Sequence, residues 1–272
     1  MSGKLYVVGT PIGNLGDFSP RAVQVLEDVD FIAAEDTRVT LKLLNHFGIK
    51  KEMISYFEHN KIEHGELIIS RIANGESCAI CTDAGMPAIS DPGEDLVRLC
   101  HENNIEVESV PGPTAFATAL AISGMNTRRF TFEGFLSANK KERRALLDEL
   151  KSEKRTMVFY EAPHKLSATL KDMYEVFGER EVALVKEITK IHEQVIRTSL
   201  LQASTMYDEE KPKGEFVVIV SGADEQKNAI TFERAVELAK EMVADGMSIN
   251  SASKEVAKMT SFKKGDIYKA LL

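Results

Sequence analysis

The segment Leu5-Tyr6-Val7-Val8-Gly9-Thr10-Pro11-Ile12-Gly13-Asn14 joins a four-residue apolar run to a turn rich in glycine and proline. A short apolar run that ends in such a turn predicts a buried β-strand followed by a loop. Ser19-Pro20 follows, and serine before proline is typical of the start of a helix. The segment therefore predicts the first strand and the first helix of an α/β fold.

The same alternation continues through the first 122 residues. Further strands are expected at 31–34, 53–57, 79–82 and 105–110, and helices at 21–29, 39–47, 62–73, 94–102 and 114–122. Repeated strand–helix units of this length predict a largely parallel sheet with helices on its faces.

The pattern breaks at 124–129 and becomes richer in strands. Strands are expected at 130–133, 156–160, 182–185, 193–198 and 216–220, with helices at 141–150 and 164–177. From residue 231 the sequence contains no strand signal and predicts two or three helices, the last over 263–271. We therefore expect an α/β protein with two α/β domains, residues 1–123 and 124–225, and a helical tail, residues 226–272.

The chain has 272 residues, of which 43% are hydrophobic and 28% charged. These proportions are those of a globular protein and exclude a disordered chain. The 34 basic and 42 acidic residues give a net charge of −8, which argues against a protein that coats nucleic acid non-specifically.

The three cysteines do not predict a disulfide framework. Cys78 and Cys81 form a C-x-x-C within an expected strand, where residues three apart face opposite sides, so their sulfurs would not converge on a metal. We expect buried, reduced thiols and a cytoplasmic location. No apolar run reaches membrane length, and the one at the N-terminus is too short for a signal peptide.

Three loops at the expected carboxyl ends of strands are rich in glycine and proline, at 9–14, 83–93 and 111–115. Ligands bind at this edge of open α/β sheets, and glycine lets the backbone approach them closely. The loops could be ordinary connections, but three together favour a preorganised pocket. None matches G-x-G-x-x-G or a P-loop, so a nicotinamide dinucleotide or a nucleoside triphosphate is not expected.

Six ordered motifs resemble one bacterial family, ribosomal RNA small subunit methyltransferase I, within the tetrapyrrole methylase superfamily. They are Thr10-Pro11-Ile12-Gly13-Asn14, Ala34-Glu35-Asp36-Thr37-Arg38, Asp83-Ala84-Gly85 with Ser90-Asp91-Pro92-Gly93, Pro111-Gly112-Pro113, Glu133-Gly134-Phe135-Leu136, and Phe159-Tyr160-Glu161-Ala162-Pro163-His164-Lys165. The match runs from about residue 3 to 222, and departs at Ser137, where the family pattern has proline.

The resemblance implies S-adenosylmethionine as cofactor, bound in a cleft between the two α/β domains. It implies 2′-O-methylation of a cytidine ribose in the decoding region of 16S rRNA by a homodimer that acts on the rRNA or the small subunit. By motif, the residues that would contact the cofactor are Pro11, Asp83, Gly85, Ile89, Ser90, Thr114, Ala115, Phe135, Leu136 and Tyr160.

A ribose hydroxyl is a poor nucleophile until its proton leaves, so a general base is expected. The candidates are Glu35, Asp36, Asp91, Glu161, and Lys186 or Lys190 with a lowered pKa. Each could equally be an ion-pair or helix-capping residue, and the sequence does not choose among them. The histidines show no metal-ligand spacing, and no catalytic metal is expected.

Contacts with RNA are expected from local basic segments. Residues 139–155 hold seven basic and four acidic residues, with Lys140, Lys141, Arg143 and Arg144 at their start. Arg38 and the tail lysines Lys263 and Lys264 are further candidates. Such runs are also common on solvated helix faces. Two other functions remain open: a tetrapyrrole methyltransferase, and a non-catalytic RNA-binding assembly factor with a degenerate pocket.

Overall fold

The computed structural model describes residues 3–91, 93–208, 211–223, 232–260 and 262–272. These form two compact units, residues 1–221 and residues 222–272. Pro92, in the loop at 83–93, and residues 226–231 of the expected tail lie outside the described residues.

The first half of the larger unit holds a five-stranded sheet, and its parallel pairing confirms the prediction. The strands are β1 (Lys4–Val8), β2 (Phe31–Ala34), β3 (Glu52–Ser55), β4 (Cys78–Cys81) and β5 (Glu106–Val110), in the order β3-β2-β4-β1-β5. Every neighbouring pair is parallel. The intervening helices are α1 (Pro20–Asp28), α2 (Thr37–His46), α3 (Lys61–Ala73), α4 (Gly93–Glu102) and α5 (Ala115–Ile122).

Local chemistry explains where these helices begin. The Ser19 side chain accepts a hydrogen bond from the backbone N–H of Ala22, and Pro20 occupies the first helical position of α1. The carboxylate of Asp36 caps the start of α2, where it accepts a hydrogen bond from the backbone N–H of Arg38. The cysteine prediction is confirmed, because Cys78 and Cys81 are buried in separate apolar clusters.

The second half of the larger unit holds a mixed five-stranded sheet. Its strands are β6 (Phe130–Phe135), β7 (Thr156–Glu161), β8 (Glu181–Lys186), β9 (Gln194–Ser199) and β10 (Phe216–Val220), in the order β6-β7-β10-β8-β9. Only the β6–β7 pair of this sheet is parallel. Its helices are α6 (Lys140–Leu150), α7 (Pro163–Phe177) and α8 (Leu200–Thr205). The sequence did not predict α8, which is too short to show an apolar period.

Helix α5 packs on the second sheet. Its buried residues Ala119 and Leu120 share a cluster with Val158, Ala183 and Val217. Side chains that precede the break at 124–129 therefore pack against side chains that follow it, and the two sheets belong to one compact unit.

The smaller unit contains helices α9 (Phe232–Ala244), α10 (Ile249–Met259) and α11 (Lys264–Leu271) in its described part. They pack around a small core of Ala235, Ala239, Val256 and Ile267. The rings of Phe232 and Phe262 meet edge to face with centroids 5.2 Å apart. The predicted helical character of the tail is confirmed over these residues.

Candidate active site

A cavity of about 520 Å³ lies within the larger unit, and residues from both sheets line it. The first sheet contributes the loops that follow its strands, including Glu35 after β2 and Thr82 to Met86 after β4. The second sheet contributes Phe135 at the end of β6, Tyr160 and Glu161 at the end of β7, and neighbouring residues. The glycine- and proline-rich loops therefore form a pocket, as the sequence predicts.

Hydrogen bonds between backbones hold the three loops together. Thr10 and Gly85 exchange two of them, with N···O distances of 2.9 and 3.2 Å. The Gly9 N–H donates to the carbonyl of Val110 at 3.0 Å. The hydroxyl of Thr10 donates to the carbonyl of Thr82 at 3.2 Å. The loops after β1, β4 and β5 are thus one rigid assembly at the rim of the sheet.

Asp91 organises the loop after β4. Its carboxylate accepts hydrogen bonds from the backbone N–H groups of Gly93 at 2.7 Å, Ala88 at 3.0 Å and Ile89 at 3.3 Å. Ala88 and Ser90 have φ values of 65° and 66°, a conformation that costs free energy in non-glycine residues. Burial raises the pKa of Asp91, against the opposing effect of these hydrogen bonds. Asp91 is therefore a structural residue of the loop.

The opposite wall of the cavity is aromatic. Gly134, with φ +65°, lies in a register shift between β6 and β7 that presents the next residue, Phe135, to the cavity. Phe135 is 60% exposed, and its ring centroid lies 5.3 Å from that of Tyr160. The Tyr160 hydroxyl accepts a hydrogen bond from the N–H of Phe116 at 3.1 Å, which ties this wall to α5.

Lys165, from the first turn of α7, supports the aromatic wall from behind. Its ammonium lies 3.0 Å from the carbonyl of Leu136 and 3.0 Å from Oε1 of Glu161. It also lies 5.8 Å from the centroid of the Phe135 ring. One half-buried cation therefore connects the ends of β6 and β7 at the cavity.

The predicted cofactor residues divide into two groups. Those that line the cavity are Asp83, Gly85, Ile89, Ser90, Thr114, Ala115, Phe135 and Tyr160. Pro11 and Leu136 are not among the lining residues. Leu136 is 2% exposed, and its side chain packs in the apolar core of the second half.

Two carboxylates of the first sheet, Glu35 and Asp83, face the cavity. Oε2 of Glu35 accepts hydrogen bonds from the hydroxyl of Thr82 and from the N–H of Asp83 at 3.2 Å. Within the described chain, Oε1 of Glu35 has no partner. Burial raises the pKa of Asp83, and the negative charge of Glu35 adds to the rise. The floor of the cavity is thus anionic and suits a cationic ligand.

The other candidate bases are engaged elsewhere. Asp36 does not line the cavity; its hydrogen bonds with Arg38 lower its pKa to about 2. Glu161 lines the cavity but is 2% exposed, and its oxygens bind the N–H of Ala162, the hydroxyl of Thr169 and Lys165. Lys186, at the end of β8, is not among the lining residues.

The hypothesis of a Lys190 with a lowered pKa is wrong. Burial of its ammonium acts to lower the pKa, but hydrogen bonds with Glu215 at 2.7 Å and Glu187 at 3.0 Å outweigh burial and raise it. Lys190 therefore stays protonated. It packs against the loop after β1, because a Cβ atom on Gly13 would lie 2.6 Å from its Cγ.

Several lining residues were not predicted. They are Ile12, Thr82, Met86, Ala162, Pro163, Val185, Ile188, Glu215, Phe216 and Val217. Thr82 and Met86 lie beside predicted residues and could have been found there. The start of β10 gives no local signal, because it reaches the cavity only through its pairing between β7 and β8.

The predicted RNA-binding cations differ in how far acidic residues neutralise them. Arg143 departs from the expectation: it is 5% exposed, and its guanidinium binds Asp172 at 2.6 and 2.9 Å. Arg144 pairs with Glu175, Lys140 lies 3.8 Å from Asp172, and Arg38 pairs with Asp36. Lys141 of the larger unit is exposed. Lys263 and Lys264 of the smaller unit are exposed as well.

Over the described ranges, no group of three or more His, Cys, Asp or Glu side chains is arranged to hold a metal ion. No helix in this part of the chain is both long and apolar enough to cross a membrane.

Comparisons with known proteins agree with the motifs. The model of the family described as Tetrapyrrole (Corrin/Porphyrin) Methylases matches residues 4–204. A Synechocystis protein named ribosomal RNA small subunit methyltransferase I is 44% identical over 272 residues, which cover 99% of this chain and 98% of that protein. A Thermotoga maritima protein of the same name is 46% identical over 222 residues, which cover 82% of this chain and 100% of that protein.

Solved structures agree on the fold. Uroporphyrin-III C-methyl transferase from Thermus thermophilus, solved in complex with S-adenyl homocysteine, superposes with a TM-score of 0.57. The match covers 80% of this chain and 97% of that one at 16% identity, so it bears on the fold alone.

Proposed function

This chain belongs to the ribosomal RNA small subunit methyltransferase I family of the tetrapyrrole methylases, and we propose that it methylates small-subunit rRNA with S-adenosylmethionine. In finer detail, the acceptor is the ribose 2′-oxygen of a cytidine in the decoding region. The observation that supports this most is the match to relatives of that name over nearly the full length of both chains. The closed assembly of loops around the cavity supports an intact, catalytic pocket over a degenerate one.

The cavity fits the cofactor. Its volume of about 520 Å³ lies within the ~300–1,000 Å³ of typical ligand pockets. Gly85, with φ +94°, lines it in a conformation that favours glycine, so its backbone is open to a ligand. The carboxylates of Glu35 and Asp83 complement the positive charges of S-adenosylmethionine. Phe135 and Tyr160 offer apolar surface on the other side.

Bound S-adenosylmethionine supplies an electrophilic methyl group on a sulfonium. The part of the protein is to hold the ribose hydroxyl in line with that methyl group, to exclude water and to accept the hydroxyl proton. The loops after β1, β4 and β5 would hold the cofactor in a fixed position for this alignment. The aromatic wall of Phe135 and Tyr160 would help to exclude water.

Glu35 is our choice for the proton acceptor. Of the six candidate bases, Glu35, Asp91 and Glu161 line the cavity. Of these three, only Glu35 has a carboxylate oxygen without a partner in the described chain. A carboxylate is a suitable general base when the proton leaves as the new bond forms. We expect Glu35→Gln to lower kcat at least a hundredfold while the dissociation constant of the cofactor changes only a few-fold. An unchanged kcat would exclude Glu35 as the base.

The proposed substrate is rRNA in the cytoplasm, either free or in the small subunit, and the proposed state is a homodimer. For the smaller unit we propose a supporting role through its exposed lysines, Lys263 and Lys264. The Thermotoga maritima relative matches over its whole length with only 222 residues, about the length of the larger unit here. Removal of residues 229–272 should weaken rRNA binding, because these lysines are lost, and should leave cofactor binding intact, because the cavity lies in the larger unit.

A direct competition tests the substrate class. The protein is incubated with S-adenosylmethionine labelled on its methyl group, together with small-subunit rRNA and a corrinoid precursor. We expect label in the rRNA alone. Label in the corrinoid would favour a tetrapyrrole methyltransferase. Failure to bind the cofactor in calorimetry would favour a non-catalytic assembly factor.

A further inference from the structure

Three arginines of the larger unit are exposed and lack carboxylate partners. Arg128 and Arg129 lie in the segment between α5 and β6, and Arg197 lies on the edge strand β9. None of the three forms an ion pair with any carboxylate in the described part of the chain. We call them the arginine surface.

Almost every other arginine of the described chain is neutralised. The pairs are Arg21–Glu108, Arg38–Asp36, Arg71–Glu76, Arg98–Asp95, Arg143–Asp172, Arg144–Glu175, Arg155–Glu153 and Arg234–Glu237. Arg180 instead donates to the backbone carbonyls of Lys151 and Ser221. In a chain with a net charge of −8, three guanidinium groups without carboxylate partners, two on one segment and one whose side chain reaches the start of that segment, are an exception within the described chain.

The backbone fixes the position of these arginines. The side-chain oxygen Oδ1 of Asn126 accepts a hydrogen bond from the backbone N–H of Arg128, with an N···O distance of 3.0 Å. The backbone carbonyl of Asn126 accepts one from the hydroxyl of Thr156 at 2.7 Å. A Cβ atom on Gly124 would lie 2.8 Å from Nη1 of Arg197, so that guanidinium lies against the start of the same segment. The guanidinium of Arg197 therefore lies beside the start of the segment that carries Arg128 and Arg129.

Two exposed apolar side chains belong to the same stretch of chain as Arg128 and Arg129. Phe130, at the start of β6, is 39% exposed, and Ile122, at the end of α5, is 42% exposed. Guanidinium groups next to an exposed aromatic ring are typical of RNA-binding surfaces, since guanidinium pairs with phosphate and both groups stack on unpaired bases.

Resting on the proposed function, we infer that Arg128, Arg129 and Arg197 bind phosphates of small-subunit rRNA outside the reacting nucleotide. An acidic polyanion complements this charge, whereas a twofold contact centred on this surface would bring like charges of two copies together. The observations therefore favour RNA over a second copy of the chain.

This surface lies away from the cavity. Strand β7 runs from Thr156, which bonds the arginine-bearing segment, to Glu161 at the cavity. At about 3.3 Å per residue, these five steps span about 17 Å. A methyl acceptor that reaches both the cavity and this surface must be longer than a single nucleotide. Binding energy from such remote contacts can help to position the reacting group.

The test measures equilibrium binding of protein-free small-subunit rRNA at several salt concentrations. The variant is R128Q/R129Q, and the control is R21Q/R98Q, which removes the same charge from exposed arginines that have carboxylate partners. We expect the dissociation constant of the variant to rise at least tenfold. The slope of log K against log[salt] should fall by about 2, roughly one for each lost phosphate contact. R197Q should lower the slope by about 1.

Two further measurements make the outcome decisive. The cofactor dissociation constant should be the same in variant and control, because these arginines do not line the cavity. Equal rRNA affinity and slope in variant and control would overturn the inference. So would a loss of affinity that coincides with dissociation of the protein in sedimentation velocity, since the surface would then join two copies. If the unaltered protein itself fails to bind rRNA, the proposed function fails, and this surface with it.

Discussion

Gly9 and Gly112 lie so close together that a Cβ atom on Gly9 would be 2.7 Å from the Cα of Gly112. A Cβ atom on Gly112 would in turn lie 2.7 Å from the carbonyl oxygen of Gly9. The loops after β1 and β5 therefore pack backbone to backbone, which no other residue type would allow without a shift. The same pair adjoins the bridge between Thr10 and Gly85, so this contact holds together the loops that line the cavity from the first sheet.

Gly112→Ala should weaken cofactor binding at least tenfold, because the added methyl group pushes apart two loops that shape the cavity. Isothermal titration with S-adenosylmethionine measures the effect. Gly265→Ala is the matched control, since a Cβ atom there would have no heavy atom within 4 Å. An unchanged affinity in Gly112→Ala would show that the cavity does not depend on this contact.

Lys165→Met should raise the dissociation constant of the cofactor about tenfold. The change removes the hydrogen bond to the Leu136 carbonyl and the ion pair with Glu161, so the ends of β6 and β7 are no longer held together at the cavity. Lys165→Arg should recover part of the affinity. Lys171→Met is the control, because Lys171 lies on the same helix and pairs with Asp208. Equal affinities in Lys165→Met and Lys171→Met would contradict a positioning role for Lys165.

Arg143→Met should lower the free energy of unfolding by about 3–5 kcal/mol, the usual cost of removing one partner of a buried ion pair. Asp172 is 3% exposed and would be left without its main cation. Chemical denaturation measures the loss. Lys141→Met, an exposed change in the same helix, should cost less than about 0.5 kcal/mol. If rRNA affinity falls in Arg143→Met while the free energy of unfolding is unchanged, then Arg143 binds RNA and does not stabilise the fold through Asp172.

Cofactor affinity should fall as the pH is lowered through the pKa of Asp83. Burial and the charge of Glu35 raise this pKa above its ordinary value of 3.8, so protonation begins at a higher pH than for a solvated aspartate. The neutral acid no longer attracts a cationic ligand, and affinity is therefore highest above the raised pKa. Titrations at a series of acidic pH values measure the decline. Asp83→Asn should bind more weakly and show a flatter profile; an identical profile would exclude Asp83.

The sequence predicts those parts of the molecule that depend on local signals. Ser19-Pro20 marks the start of α1, and the glycine- and proline-rich loops mark the edge of the sheet where the cavity forms. The contribution of Glu215 to Val217 could not be predicted, because β10 reaches the cavity only by pairing between strands that are far away in sequence.

Charge patterns fail for a related reason. The basic run at 139–155 looks available to RNA, yet Arg143 meets Asp172 from α7, 29 residues further along the chain. Arg128 and Arg129 form only a pair in the sequence and give no such signal. They stand out only because the fold leaves them without acidic neighbours in the described chain.

The most direct test of the central claim identifies the methylated nucleoside. Small subunits from cells that lack this chain are incubated with the purified protein and S-adenosylmethionine, and the rRNA is digested and analysed by mass spectrometry. We expect one new methyl group per small-subunit rRNA, found as 2′-O-methylcytidine and absent with Glu35→Gln. A methyl group on a base, or no methylation of the rRNA in subunits or free in solution, would contradict it.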